Sequence, residues 1–210
     1  RQERHEAPTV DQRHVLRRDR FVVDDIRARH WPAVAPAWGS VLLVHGLAEH
    51  SGRYEHVGSY FAEHGLEVLA YFVDSEVAAV DFVNGAEGLL MAPAYAVPRM
   101  LERNGLTLQD FDFYEIHEAF ASQVLSTLKA WEDPVFCKER LGLDAPLGSI
   151  DRSKLNVKGS SLGAGHPFAA TGARIVANAA KLLAEKGSGR AVISVCAAGG
   201  QGVTAILERP

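Results

Sequence analysis

The stretch AVISVCAAGGQGVTAIL, residues 191–207, constrains the fold more than any other. It holds two short apolar runs, Ala191 to Cys196 and Val203 to Leu207, joined by AAGGQG. Runs of this length, rich in β-branched residues, are expected of strands buried on both faces. A joint this rich in glycine implies close backbone approach to something. Ahead of it, Pro167 to Lys186 reads as a long alanine-rich helix with proline in its first turn, stopped by Gly187. Helix, strand and strand in this order point to an α/β fold.

The rest of the chain continues that alternation. Phe21-Val22-Val23 and Ile26 to His30, separated by Asp24-Asp25, predict a short hairpin. After a loop from Trp31 to Gly39, Ser40 to Val44 reads as a strand, Arg53 to His64 as a helix closed by Gly65, and Val68 to Val73 as a strand. That is the start of a parallel sheet. Gly88 to Asn104 reads as a helix in spite of Pro93 and Pro98. Phe111 to Ile116 is a predicted strand and Glu118 to Trp131 a helix; Cys137 to Asp151 is expected to be loop, and Leu155 to Val157 a short strand. No internal repeat or low-complexity segment stands out.

Bulk composition narrows the function classes. A net charge of −4 with 47% hydrophobic and 23% charged residues gives no sign of nucleic acid or an anionic membrane as partner. The basic stretch from Arg13 to Arg20 has no apolar segment behind it and is not a signal peptide. No apolar run is long enough for membrane insertion. Two distant cysteines, Cys137 and Cys196, make no disulfide framework, so a cytoplasmic location is the expectation. Without C-x-x-C or H-E-x-x-H, no metal site is expected.

Two sets of motifs carry chemistry. His45-Gly46-Leu47-Ala48-Glu49-His50-Ser51-Gly52-Arg53-Tyr54 lies within a segment, roughly 20–71, that resembles the opening of monoglyceride-lipase-type α/β-hydrolases. By that resemblance the Leu47 N–H is a vestigial oxyanion-hole donor. Further on come three other motifs: Ile116-His117-Glu118-Ala119-Phe120-Ala121, then Gly163-Ala164-Gly165-His166-Pro167 running on to Ala170-Thr171-Gly172, then Cys196-Ala197-Ala198-Gly199-Gly200-Gln201-Gly202. By these three, in this order, the chain from about residue 68 to 210 resembles the C-terminal part of a thiolase, closest to the class that breaks down fatty acyl-CoA. The two resemblances meet at Val68-Leu69-Ala70-Tyr71, and Phe72 onward departs from the hydrolase pattern. The chain therefore reads as a splice: a truncated hydrolase strand-helix-strand over 1–71, and over 72–210 a thiolase-like C-terminal domain, a mixed sheet with helices on both faces.

The thiolase resemblance implies acyl transfer between CoA thioesters with making or breaking of a carbon–carbon bond, of the fatty-acid β-oxidation type. It implies no cofactor beyond the CoA thioester substrates. Such chemistry needs a thiolate to hold the acyl group, a base for the proton alpha to a carbonyl, and donors for the oxyanions. By resemblance Cys196 moves the alpha proton, His166 activates the nucleophilic cysteine and donates to an oxyanion, and His117 polarises the thioester oxygen. By the same resemblance the backbone at Ala198 and Gly199 is expected to form a second oxyanion hole. Ala198 and Ala169 stand where the family commonly has glycine. The acylated cysteine belongs to the family's N-terminal half, and no cysteine precedes Cys137, so the chain alone is expected to be inactive or nearly so.

Gly159-Ser160-Ser161-Leu162-Gly163 also matches the G-x-S-x-G pattern of a serine-hydrolase elbow. The elbow needs a helix directly after the serine, with the acid and histidine following in sequence. Gly163, Gly165 and Pro167 hold back any helix until Pro167. His166 is the only later histidine and no aspartate follows. An esterase or monoacylglycerol lipase built on Ser161 is thus the second reading. A non-catalytic module, associating with itself or with an intact thiolase subunit, is the third.

Overall fold

The computed structural model describes residues 63–210, residues 60–61, and the strand segments 20–23, 26–29 and 39–40. β1 (Arg20–Val23) pairs antiparallel with β2 (Ile26–Arg29), with Val23 opposite Ile26, which is the predicted hairpin. β3 (Gly39–Ser40) pairs parallel with β4 (Leu66–Glu67). The predicted strand continuation over 41–44, most of the 53–64 helix, and Leu47 lie outside the described residues.

The main sheet has four strands in the order β5-β8-β7-β6. β5 (Tyr71–Ala79) runs antiparallel to β8 (Gln201–Arg209), β8 antiparallel to β7 (Gly189–Ala197), and β7 parallel to β6 (Phe113–Ile116). The strand expected over Val68 to Val73 is displaced. Val68 to Ala70 are not in a strand; the parallel pairing belongs to Leu66–Glu67, and the strand that starts at Tyr71 lies antiparallel on β8. Leu155 contributes only a single parallel bridge to Tyr114, not a strand.

Helices cover both faces. α1 (Ala92–Arg103) and α2 (Ala121–Glu132) pack on one, where Met100, Leu101, Val124, Leu128 and Trp131 meet Val192 and Ile206. On the other face, Ile175, Ala179 and Leu183 of α5 (Thr171–Lys186) meet Ala191, Ile193 and Leu207. Neighbouring residues of one strand thus feed opposite cores, as the two-residue period of a strand requires. The mixed sheet with a helical layer on each side is the expected fold class.

The helix limits differ from the sequence reading for identifiable reasons. α1 starts at Ala92 with Pro93 in its opening positions, and it carries Pro98 inside. A proline leaves the carbonyl four residues earlier without its helical donor. That carbonyl is Ala94 O, and the Trp131 indole N–H donates to it at 3.2 Å. α2 starts at Ala121 because Phe120 is extended (φ −150°, ψ 148°). The segment expected to be loop after Cys137 begins inside a helix: α3 (Pro134–Leu141) is capped by the Asp133 carboxylate, which accepts from Val135 N and Phe136 N, and ends at Gly142 in the left-handed region (φ 70°). α5 begins at Thr171, four residues after Pro167, because Ala169 sits at φ 66° and breaks the turn.

Candidate functional site

β6 and β7 are parallel, so their C-terminal ends share one edge of the sheet. Ile116 pairs with Ser194, and the next residue, His117, donates its N–H to Ser194 O at 2.8 Å. Cys196 lies two residues past Ser194 on the same face of β7. The sheet therefore brings His117 and Cys196, 79 residues apart in sequence, to adjacent strand ends.

Asn156 holds the end of β6 in place. Its side chain accepts from Ile116 N (2.8 Å) and donates to Ile116 O (2.9 Å) and to Glu118 Oε1 (2.8 Å), while its own N–H donates to Tyr114 O. One amide side chain does the work of a neighbouring strand. Its backbone is left-handed (φ 47°), a conformation asparagine tolerates better than most residues. The other oxygen of Glu118 accepts from Leu162 N at 3.1 Å and ties the strand end to the next loop.

That loop contains α4 (Ser161–Ala164), a single turn ended by Gly165 at φ 83°. The expectation of no helix before Pro167 is therefore corrected, although the turn does not continue. Ser161 opens it and is buried. Its hydroxyl lies 2.8 Å from His117 Nδ1 and accepts from Arg174 Nη2 at 3.0 Å. His117 is fully buried; burial, helped by the charges of His166 and Arg174, holds its pKa below the ordinary value in spite of Glu118. Glu115, two residues earlier and fully buried, has no hydrogen-bond partner on either oxygen among the described residues. Burial raises its pKa to about 7, against the pull of Arg174.

His166 stands at the mouth of the site. Its ring centre is 4.4 Å from that of His117 and 4.9 Å from that of Phe168, which is 86% exposed. Its Nδ1 lies 2.6 Å from the Thr171 hydroxyl, which in turn donates to Pro167 O at 3.2 Å. Where His117 is enclosed, His166 is open to solvent.

The Cys196 thiol is buried, and burial pushes its pKa up to about 11. It is a proton-holding thiol at neutral pH. The hairpin after it explains the glycines. A Cβ on Gly200 would come within 2.4 Å of Val80 O, and one on Gly202 within 2.7 Å of Pro93 N. The expected close approach is thus to the chain's own backbone. It also leaves Ala198 and Gly199 exposed in the turn beside Cys196. Cys137 is elsewhere, buried in α3 with its thiol donating to Ala130 O and Trp131 O.

The arrangement offers a thiol that carries a proton, an enclosed imidazole, an open imidazole and a tight backbone turn. These are the parts for moving a proton next to a carbonyl and holding an oxyanion. Of the residues singled out from the sequence, His117 and His166 lie ring against ring, and Cys196 sits at the strand end next to that of His117. The sequence reading did not find Asn156, Thr171 and Arg174, and it discarded Ser161. The available signal was a polar residue at the apolar approach to each motif, such as Arg174 on the alanine-rich helix.

The family model of the thiolase C-terminal domain matches residues 66–209. The chain belongs to the thiolase family. The model of the serine aminopeptidase S33 family matches residues 35–73, so the two overlap at 66–73 around the start of β5. Among thiolases, a probable 3-ketoacyl-CoA thiolase of Caenorhabditis elegans is 44% identical over 149 residues, covering 71% of this chain and 33% of the relative. A 3-ketoacyl-CoA thiolase of Vibrio cholerae is 45% identical over 147 residues, covering 70% and 33%. The chain therefore spans about a third of the length of these thiolases. Among solved structures, the peroxisomal 3-ketoacyl-CoA thiolase of Saccharomyces cerevisiae, built from two core domains of identical topology, matches with TM-score 0.52 and 35% identity over 73% of this chain and 37% of that one. The Acat5 thiolase of Ascaris suum, solved with coenzyme A, matches with TM-score 0.53 and 29% identity over 73% and 34%.

Proposed function

We propose that residues 72–210 supply the acid/base half of a thiolase site acting on 3-ketoacyl-CoA, and that the 210-residue chain does not complete the cycle alone. The observation that carries this is the meeting of Cys196 and His117 at adjacent strand ends, with the His166 ring 4.4 Å from His117. In the degradative direction a thiolate attacks the 3-keto carbon and the bond between C2 and C3 breaks. The electron pair passes to an enolate of acetyl-CoA, and Cys196 returns a proton to its alpha carbon. His117, with its N–H toward the thioester oxygen, stabilises that enolate; the backbone N–H groups around Ala198 and Gly199 serve the second oxyanion. His166 takes the proton of the attacking thiol. That thiol is neither of the two cysteines here, since Cys196 has the other role and Cys137 is buried in α3. The coenzyme A bound by the Ascaris suum relative supports CoA thioesters as the ligand class. Thiolysis of acetoacetyl-CoA by the purified chain tests the reading: no turnover is expected, and robust turnover overturns it.

One observation favours the hydrolase reading, the 2.8 Å contact between Ser161 and His117. Against it, Ser161 is buried and its hydroxyl already accepts from Arg174. Labelling of Ser161 by a fluorophosphonate would support that reading, and silence sinks it. Association with itself or with an intact thiolase subunit accompanies the half-site reading, and a strictly monomeric chain in sedimentation counts against it. Among the described residues no helix is long and apolar enough to cross a membrane, and no group of three acidic, histidine or cysteine side chains is placed to hold a metal.

A further inference from the structure

We propose that two hydroxyls hold the neighbouring histidines in opposite tautomers: Ser161, fixed by Arg174, keeps the proton of His117 on Nε2, and Thr171, fixed by Pro167 O, keeps the proton of His166 on Nδ1. Ser161 and Thr171 are positioning residues. The inference rests on the thiolase reading for its catalytic meaning but not for its geometry.

Protons and lone pairs must balance at both hydroxyls. A hydroxyl has one proton to give and two lone pairs to accept with; a guanidinium only donates, and a carbonyl only accepts. Arg174 Nη2 donates to Ser161 Oγ at 3.0 Å and so takes a lone pair. The serine is buried, and its hydroxyl proton has His117 Nδ1, at 2.8 Å, as its acceptor. A neutral imidazole that accepts at Nδ1 carries its N–H at Nε2. The nearby guanidinium also polarises the serine O–H and strengthens this donation. At His166 the order is reversed. Thr171 Oγ1 gives its proton to Pro167 O at 3.2 Å, so at 2.6 Å it accepts from the Nδ1–H of His166. That leaves a bare lone pair on Nε2.

The division fits the two roles. A group that steadies an oxyanion must present an N–H, and a group that takes a thiol proton must present a lone pair. Two imidazoles 4.4 Å apart have no intrinsic reason to hold different tautomers. Here their inner partners make them different. Ser161, which fits the elbow pattern by spelling, serves a histidine as a donor and not as a nucleophile.

The test is nitrogen NMR of the full 210-residue chain labelled with 15N-histidine, with the two rings assigned through His117→Gln and His166→Gln. At a pH where both rings are neutral, the expected native spectrum shows an imine-type, hydrogen-bonded Nδ1 for His117 and a pyrrole-type Nδ1 for His166. In Ser161→Ala the His117 Nδ1 resonance moves toward the free imine position, and Ser161→Thr restores it. In Ser161→Asp, whose carboxylate only accepts, His117 switches to a pyrrole-type Nδ1. A pyrrole-type Nδ1 at His117 in the native chain, an imine-type Nδ1 at His166, or an unmoved His117 Nδ1 in Ser161→Ala overturns the proposal. The native spectrum alone decides it if a variant does not fold. No turnover enters the measurement, so a wrong tautomer leaves the thiolase reading standing, and unexpected thiolysis by the chain leaves the tautomers as measured.

Discussion

The imidazoles of His117 and His166 stand 4.4 Å apart between ring centres, one fully buried and the other open to solvent. Burial, the neighbouring imidazole and Arg174 all disfavour a charge on His117. Its titration midpoint should fall below the ordinary 6.5, and Arg174→Gln should raise it. Below pH 6.5 the unfolded chain takes up this proton and the folded chain resists it, so the contribution of His117 is intact above 6.5 and is lost as pH falls toward the folded midpoint. An NMR titration of the ring checks both statements.

Glu115 carries the opposite dependence. Its folded pKa of about 7 lies above the ordinary 4.5, so between these values the folded chain binds the extra proton. Its contribution is intact below 4.5 and is lost as pH rises through about 7. Glu115→Gln, which keeps the shape and removes the charge, should stabilise the chain at pH 8 by on the order of 1–3 kcal/mol and do little at pH 4.5. Urea unfolding at the two pH values measures the difference.

Ala169 occupies the left-handed region at φ 66°. An L residue with a Cβ is disfavoured there by roughly 1–2 kcal/mol, and glycine is not. The alanine keeps its N–H but stores strain in the turn between His166 and α5. Ala169→Gly should raise stability by about 1 kcal/mol, less the entropy that glycine costs in the unfolded chain. Thermal unfolding of the variant beside the native chain checks this.

Both cysteines are buried, and the Cys196 thiol is pushed up to about 11. Because thiolate is the reactive form, a disulfide reagent at pH 8 should find no fast-reacting thiol in the native chain and two after denaturation. A fast stoichiometric reaction at Cys196 would show a thiolate there and contradict its proposed role as a proton carrier.

Much of this was legible in the sequence because apolar periodicity and glycine placement are local signals. The β7–β8 hairpin, α5 and the two faces of the sheet come from residues 167–207, where each run is long and well punctuated. Other elements were misread where a short signal was outvoted. Asp133-Pro134 with Gly142 is a cap, a first-turn proline and a stop, yet α3 is only eight residues long and its apolar stripe is weak. Pro167 suggested a helix start that the conformation of Ala169 postpones to Thr171. Asn156 was invisible because its partners, Tyr114, Ile116 and Glu118, lie 38 or more residues away. Ser161 was legible as a motif and misleading as a role: its partner His117 precedes it by 44 residues, an order that the elbow pattern does not describe.

The central claim is that Cys196, His166 and His117 form a competent acid/base half-site that needs a thiolate from elsewhere. Residues 66–209 exchanged into the Vibrio cholerae relative, in place of its matching C-terminal segment, put that claim to a direct measurement of 3-ketoacyl-CoA thiolysis. The account predicts turnover by the exchanged enzyme and a loss of roughly 10²–10⁴-fold in its Cys196→Ala and His166→Ala variants. A folded exchanged enzyme that binds coenzyme A but shows no thiolysis, or one whose Cys196→Ala variant keeps full activity, would contradict it.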